Sequence, residues 1–81
     1  MNVLYFAWVR ERIGAGHEQI DDIPETVADL IALLSQRSDG HAAALGQVDQ
    51  LRVAVDQALV PLDHPLKNAR EVAIFPPMTG G

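Results

Sequence analysis

Thr26 opens the one stretch of this chain whose geometry can be read without a rival: Val27, Leu30, Ile31 and Leu34 fall at i, i+3, i+4 and i+7. That spacing lines four apolar side chains along one stripe of an α-helix. Thr26 suits the N-cap, and Asp29 three residues later completes an acidic version of the capping box. The pattern fades near Arg37-Ser38, where Arg37 is placed to face the helix C-terminus. A single stripe must bury itself against something else, and the rest of the chain offers mainly strands.

Residues 3–8, from Val3 to Trp8, are apolar at every position, the mark of a central strand covered on both faces. Residues 51–55 alternate with period two, and Asp56-Gln57 makes a plausible tight turn into Ala58-Leu59-Val60. Residues 72–75 are β-branched or aromatic, and Pro76-Pro77 then stop the strand because neither supplies an N–H. Residues 17–20 read as a short second strand. Residues 39–46 permit a second, shorter helix capped by Asp39, and Gly14-Ala15-Gly16 would either end one helical turn over the charged residues 9–13 or open a loop. The expected architecture is α+β, with one main helix and short extra ones over a sheet. Its most apolar strands, the first and the last, lie side by side at the centre. Residues 1–75 form one domain and residues 76–81 an extended tail.

With 81 residues, 48% of them hydrophobic, the chain has enough apolar material for one packed core and no more. It holds no cysteine, which excludes disulfides, thiolate metal sites and a thiol or persulfide nucleophile on a side chain. A net charge of −5 argues against nucleic acid as a partner. The apolar N-terminal run is too short to span a membrane and lacks a signal peptide's layout, so the expectation is a cytoplasmic protein with no membrane partner.

No catalytic constellation emerges. His17, His41 and His64 sit on three segments without ligand spacing and read as ordinary surface or loop residues, so no metal site is expected. Asp21, Asp22, Glu25, Asp49, Asp56 and Asp63 read as a solvated surface. Ser35 and Ser38 lack a nucleophile elbow, and Gly14 and Gly16 do not extend into a phosphate loop. Phe6, Trp8 and Phe75 read first as core residues, a reading that suits Trp8 and at least one of the phenylalanines best. Yet one main helix leaves part of the sheet's other face open, and a flat apolar patch there would bind another protein. Phe75, beside the tail, is a candidate for that patch.

The ending Phe75-Pro76-Pro77-Met78-Thr79-Gly80-Gly81 is the feature with chemical consequences. Glycine lacks Cβ, so a Gly80-Gly81 end can thread a narrow channel into another protein's active site. A terminal glycine also has no chiral carbon to racemise when its carboxyl group is activated. A Gly-Gly end alone is often a frayed terminus, but here an extended Pro-Pro spacer and an anchoring strand precede it.

These residues resemble a known family, the small subunits of molybdopterin synthase, which are ubiquitin-like sulfur carriers of the β-grasp fold with a mixed sheet. The likeness spans the chain. It rests on residues 3–11 at the opening, on Val53-Ala54-Val55-Asp56-Gln57, on Asp63-His64-Pro65-Leu66, and most specifically on residues 71–81. Asp56 stands where the family usually has Asn. The resemblance implies that Gly81, with Gly80, carries the reactive end. An ATP-dependent adenylating enzyme would activate the carboxylate, and a sulfur-donor protein would then convert it to a thiocarboxylate. The tail would next enter the large subunit and pass sulfur to a cyclic pyranopterin precursor of the molybdenum cofactor. No cofactor is expected to be bound by the chain itself, since ATP belongs to the activating enzyme. Phe75, Pro76, Pro77, Met78, Thr79, Phe6 and Arg10 are the implied partner contacts, in a heterotetramer of two small and two large subunits. For Arg10 a plain surface salt bridge is the competing role. Other readings are a carrier for thiamin or another thio-biosynthetic route, a protein modifier joined to lysines through Gly81, and a non-covalent adaptor with an idle tail.

Overall fold

The apolar run at residues 3–8 does not form one strand. In the computed structural model, which describes residues 1–77, β1 covers Asn2–Tyr5 and a helix, α1 (Ala7–Ile13), starts two residues later. Phe6 makes the last bond to the sheet, its N–H donating to the Ile74 carbonyl at 3.2 Å. Ala7 then adopts a φ of 54° and turns the chain away, a conformation costing an L-residue roughly 1–2 kcal/mol. Trp8 is therefore a helical residue, half-buried against the core, and not part of a central strand. Strand and helix both face the same core, so the apolar run passes unbroken across the junction. Gly14, at φ 87°, ends α1 with its N–H bonded to the Arg10 carbonyl, a left-handed cap that glycine adopts without strain.

The remaining elements are β2 (His17–Gln19), α2 (Val27–Ser35), α3 (Asp39–Leu45), a 3₁₀ turn (Val48–Gln50), β3 (Arg52–Val55), β4 (Ala58–Val60) and β5 (Glu71–Phe75). The strands form one mixed sheet in the order β2-β1-β5-β3-β4, with β1 and β5 parallel and the other pairs antiparallel. First and last strands are neighbours as expected, and β5 occupies the centre. This is the β-grasp arrangement. Among the described residues no helix is long and apolar enough to cross a membrane.

Thr26 caps α2 as its sequence predicts: its Oγ1 accepts from the Asp29 N–H at 3.2 Å and donates to Asp29 Oδ2 at 3.0 Å. The stripe is buried throughout. The helix ends at Ser35, earlier than expected, and the Arg37 guanidinium reaches Glu18 instead of the helix end. α3 is capped by Ser38, whose Oγ accepts from the His41 N–H at 3.1 Å; Asp39 is its first helical residue and not its cap. Gly40 is needed at the α1–α3 crossing, because a Cβ there would sit 2.4 Å from the Arg12 carbonyl oxygen.

One core results. Val3, Tyr5, Val53, Val55, Val72 and Ile74 project from one face of the sheet and meet Val9 of α1, the stripe of α2, and Ala44 and Leu45 of α3. All three helices thus cover that face. The hairpin at Asp56 and Gln57 has φ values of 49° and 73°, the paired positive angles of a type I′ turn. The Asp56 carboxylate also accepts from the N–H groups of Arg70 and Glu71, both at 3.0 Å. Asp thereby ties the hairpin to the start of β5.

His41 is neither a surface nor a loop residue: it is 8% exposed within α3. Its Nε2 lies 2.6 Å from Glu18 Oε2 and its Nδ1 2.7 Å from Ser38 Oγ, so both ring nitrogens have partners. Tyr5 donates to the same Glu18 oxygen at 2.5 Å, and Arg37 meets the other at 3.2 Å. Burial by itself would push the Glu18 carboxyl up, but the hydrogen bonds from Tyr5 and His41, with the charges of His41 and Arg37, hold it below the usual range. The Tyr5 phenol is pushed well above its usual range, by burial first and by Glu18 next. A carboxyl whose pKa is depressed on folding stabilises the fold above its unfolded pKa, and that contribution disappears as pH falls through the folded value. Glu18→Gln should cost about 1–2 kcal/mol at neutral pH. The gap between variant and wild type should close as the solution is acidified below the ordinary glutamate range. Thermal melts across that range check this, and a gap that stayed constant would rule it out.

Candidate functional site

Because Val72 and Ile74 face the core, Glu71, Ala73 and Phe75 face the other way. The same parity puts Leu4 on the open face of β1, Arg52 and Ala54 on that of β3, and Leu59 on that of β4. Register aligns them: Leu4, Ala73, Ala54 and Leu59 form one row across four strands, and Phe75 pairs with Arg52 in the row beside it. The two alanines make a flat floor between the leucines. Leu4, Ala54, Ala73 and Phe75 are half-buried by their neighbours alone, whereas Leu59 is 68% exposed. Arg52 folds back on the chain, donating to the Leu51 carbonyl at 2.8 Å.

Neither phenylalanine belongs to the core, contrary to the expectation that at least one would. Phe6 is 46% exposed at the end of β1, beside Ile74, and Phe75 stands on the open face because Ile74 takes the inward position. With Pro76 and Pro77, both half-buried, they gather where the central strand hands over to the tail. Met78, Thr79, Gly80 and Gly81 lie outside the described residues. Arg10 does not join this group. It projects from α1, and its guanidinium lies against the backbone of Gly16, where a Cβ would meet Arg10 Cζ at 3.3 Å. Among the described residues it makes no ion pair.

Leu59 is the residue that sequence reasoning passed over. The signal was present, since a tight turn at Asp56-Gln57 fixes the register, and an inward Val60 forces Leu59 outward beside Ala54. The resulting surface is apolar, nearly flat, and continuous with the root of the tail. It can seat a partner's apolar surface beside Pro76 and Pro77, the first residues of the tail.

Known proteins resemble the chain along its whole length. The chain is 43% identical over 81 residues to the molybdopterin synthase sulfur carrier subunits of Haemophilus influenzae and of Escherichia coli, covering all of this chain and 99% of each relative. Among solved structures, one assigned to molybdopterin converting factor, subunit 1, from Pyrococcus furiosus superposes with a TM-score of 0.75 at 31% identity, covering 95% of both chains. SAMP1 from Haloferax volcanii superposes at 0.73 with 25% identity, over 100% of this chain and 98% of the other. Residues 3–81 match the ThiS family, and the chain belongs to that family.

Proposed function

We propose that this protein is the sulfur carrier subunit of a molybdopterin synthase, working in the cytoplasm, and that the Gly81 carboxyl group is its working end. The observation that carries the reading is the full-length 43% identity to two proteins named for that role. The chemistry is consistent with the residues present. A carboxylate is a poor electrophile; on an activating enzyme its oxygen attacks the α-phosphorus of ATP, forming an acyl adenylate as pyrophosphate leaves. A sulfur nucleophile from a donor protein then displaces AMP, and Gly81 ends as a thiocarboxylate. With no cysteine in the chain, the sulfur has no side-chain carrier to compete with the terminus.

Transfer of that sulfur to a pyranopterin precursor takes place in the large subunit, which supplies acid, base and electrostatic groups. This chain supplies position. Leu59, Leu4, Phe6 and Phe75 dock the body, Pro76 and Pro77 stiffen the exit, and residues 78–81 run into the partner's active site. Holding the sulfur at the end of a docked strand converts a bimolecular encounter into a local one, the largest advantage a non-catalytic subunit can give. Arg10, turned onto Gly16, lies apart from this row of apolar residues.

Intact-mass analysis of the chain purified from a cell with an active pathway tests the reading. The expected species has one oxygen replaced by sulfur, and fragmentation places it at Gly81. Unmodified protein, or Gly81 found joined to lysines of many other proteins, would overturn it, the second result making the chain a modifier.

A further inference from the structure

Five of the six basic residues are arginines, and Lys67 is the only lysine. Arginine stays protonated and does not take an acyl group at neutral pH, whereas a lysine amine does. The other amine, at Met1, donates to the Ile20 carbonyl at 3.0 Å. Lys67 is exposed, and among the described residues it makes no ion pair. It stands in the β4–β5 connection, which is tied to the start of α2 by the Leu66 N–H bond to the Glu25 carbonyl at 3.0 Å and by the Thr26–Pro65 bridge. Beside it runs a shallow groove walled by Ile23, Pro24 and Pro65, with Ile23 43% exposed.

We infer that Lys67 is an acceptor for the activated carboxyl end of a second copy of this chain. The inference rests on the proposed activation of Gly81. The occupant of the groove is the segment 76–81 of the second copy, apolar through Met78 and ending in the acyl group that activation makes electrophilic. The neutral Lys67 amine attacks the Gly81 carbonyl carbon of the acyl adenylate. A C–N bond forms, the bond from acyl carbon to phosphate oxygen breaks, AMP leaves with its electron pair, and the amine's proton passes to solvent. The reaction runs between copies because Lys67 lies near the start of β5 while the tail leaves from its end, about 16 Å away along a five-residue strand. A chain reaching back to its own Lys67 would have to reverse at Pro76-Pro77, whose rings hold φ near the extended polyproline value. It operates when activation outpaces sulfur supply, and the linked pair keeps one free Gly81.

The test incubates the full chain with ATP, magnesium and a ubiquitin-activating-type adenylating enzyme, without a sulfur donor, following pyrophosphate release and intact mass. The expected product has the mass of two chains less one water, with peptide mapping placing an amide between Gly81 and Lys67. Lys67→Arg should release pyrophosphate as before and reduce that product to below about a tenth, since arginine cannot replace the amine. Pyrophosphate release with no linked pair, a monomer closed on itself, linkage through the Met1 amine, or an undiminished product in Lys67→Arg would each overturn the inference and leave the carrier reading standing. Absence of pyrophosphate release would bring down both.

Discussion

Removing Gly80 and Gly81 should reduce sulfur transfer to background while leaving the affinity for the large subunit within about tenfold, or ~1.4 kcal/mol, of the intact chain. The separation follows from where the two jobs are done. The buried side chains of β5 are Val72 and Ile74, and the flat apolar rows that suit docking are complete at Phe75. Two glycines add almost no apolar area to either. In the proposed function they provide reach and an acyl group, and no side chain elsewhere can take over the sulfur, because the chain has no cysteine. Reconstituted transfer with the thiolated chain gives the activity, and calorimetry with the large subunit gives the affinity. Unchanged activity would make the chain a non-covalent adaptor. Loss of binding along with activity would move the main docking energy from the sheet face into the tail.

Sequence reasoning reached furthest where a single periodicity was undisturbed. The α2 stripe and its Thr26–Asp29 cap were legible because every signal in that segment pointed to helix. The neighbouring placement of β1 and β5 followed from their apolar character. It failed where two elements share one apolar run. No glycine or proline marks the Phe6–Ala7 junction, and the positive φ falls on an alanine, so residues 3–8 read as a single strand. The α3 cap moved by one residue because Ser38 and Asp39 are both good caps, and only the backbone decides which is extended. His41 looked like a loop residue because its partners, Glu18 and Tyr5, are 23 and 36 positions away. The docking face was half legible. Phe75 stood out beside the tail, but Leu59 needed the hairpin register, and the flat floor needed two alanines to be brought side by side from β3 and β5.

Neighbouring residues on β5 offer the sharpest check on that face. Ile74→Ala removes a fully buried side chain and should cost the isolated chain about 2–5 kcal/mol. Phe75→Ala, one position on, faces the open side and should cost only about 1 kcal/mol, yet weaken the complex by ~2 kcal/mol or more, about thirtyfold in Kd. Leu59→Arg should do the same to the complex with stability changed by no more than about 0.5 kcal/mol, because a side chain 68% exposed has little native contact to lose. Charge placed there must be desolvated when a partner covers the row from Leu4 to Leu59, which adds to the lost apolar contact. Melting curves of each isolated variant, paired with titrations against the large subunit, separate the two effects. A deep fall in melting temperature for Phe75→Ala would assign that ring to the core. Undiminished affinity in Leu59→Arg would confine docking to the Phe6–Phe75 end of the sheet, with the Ala73–Ala54 floor left uncovered in the complex.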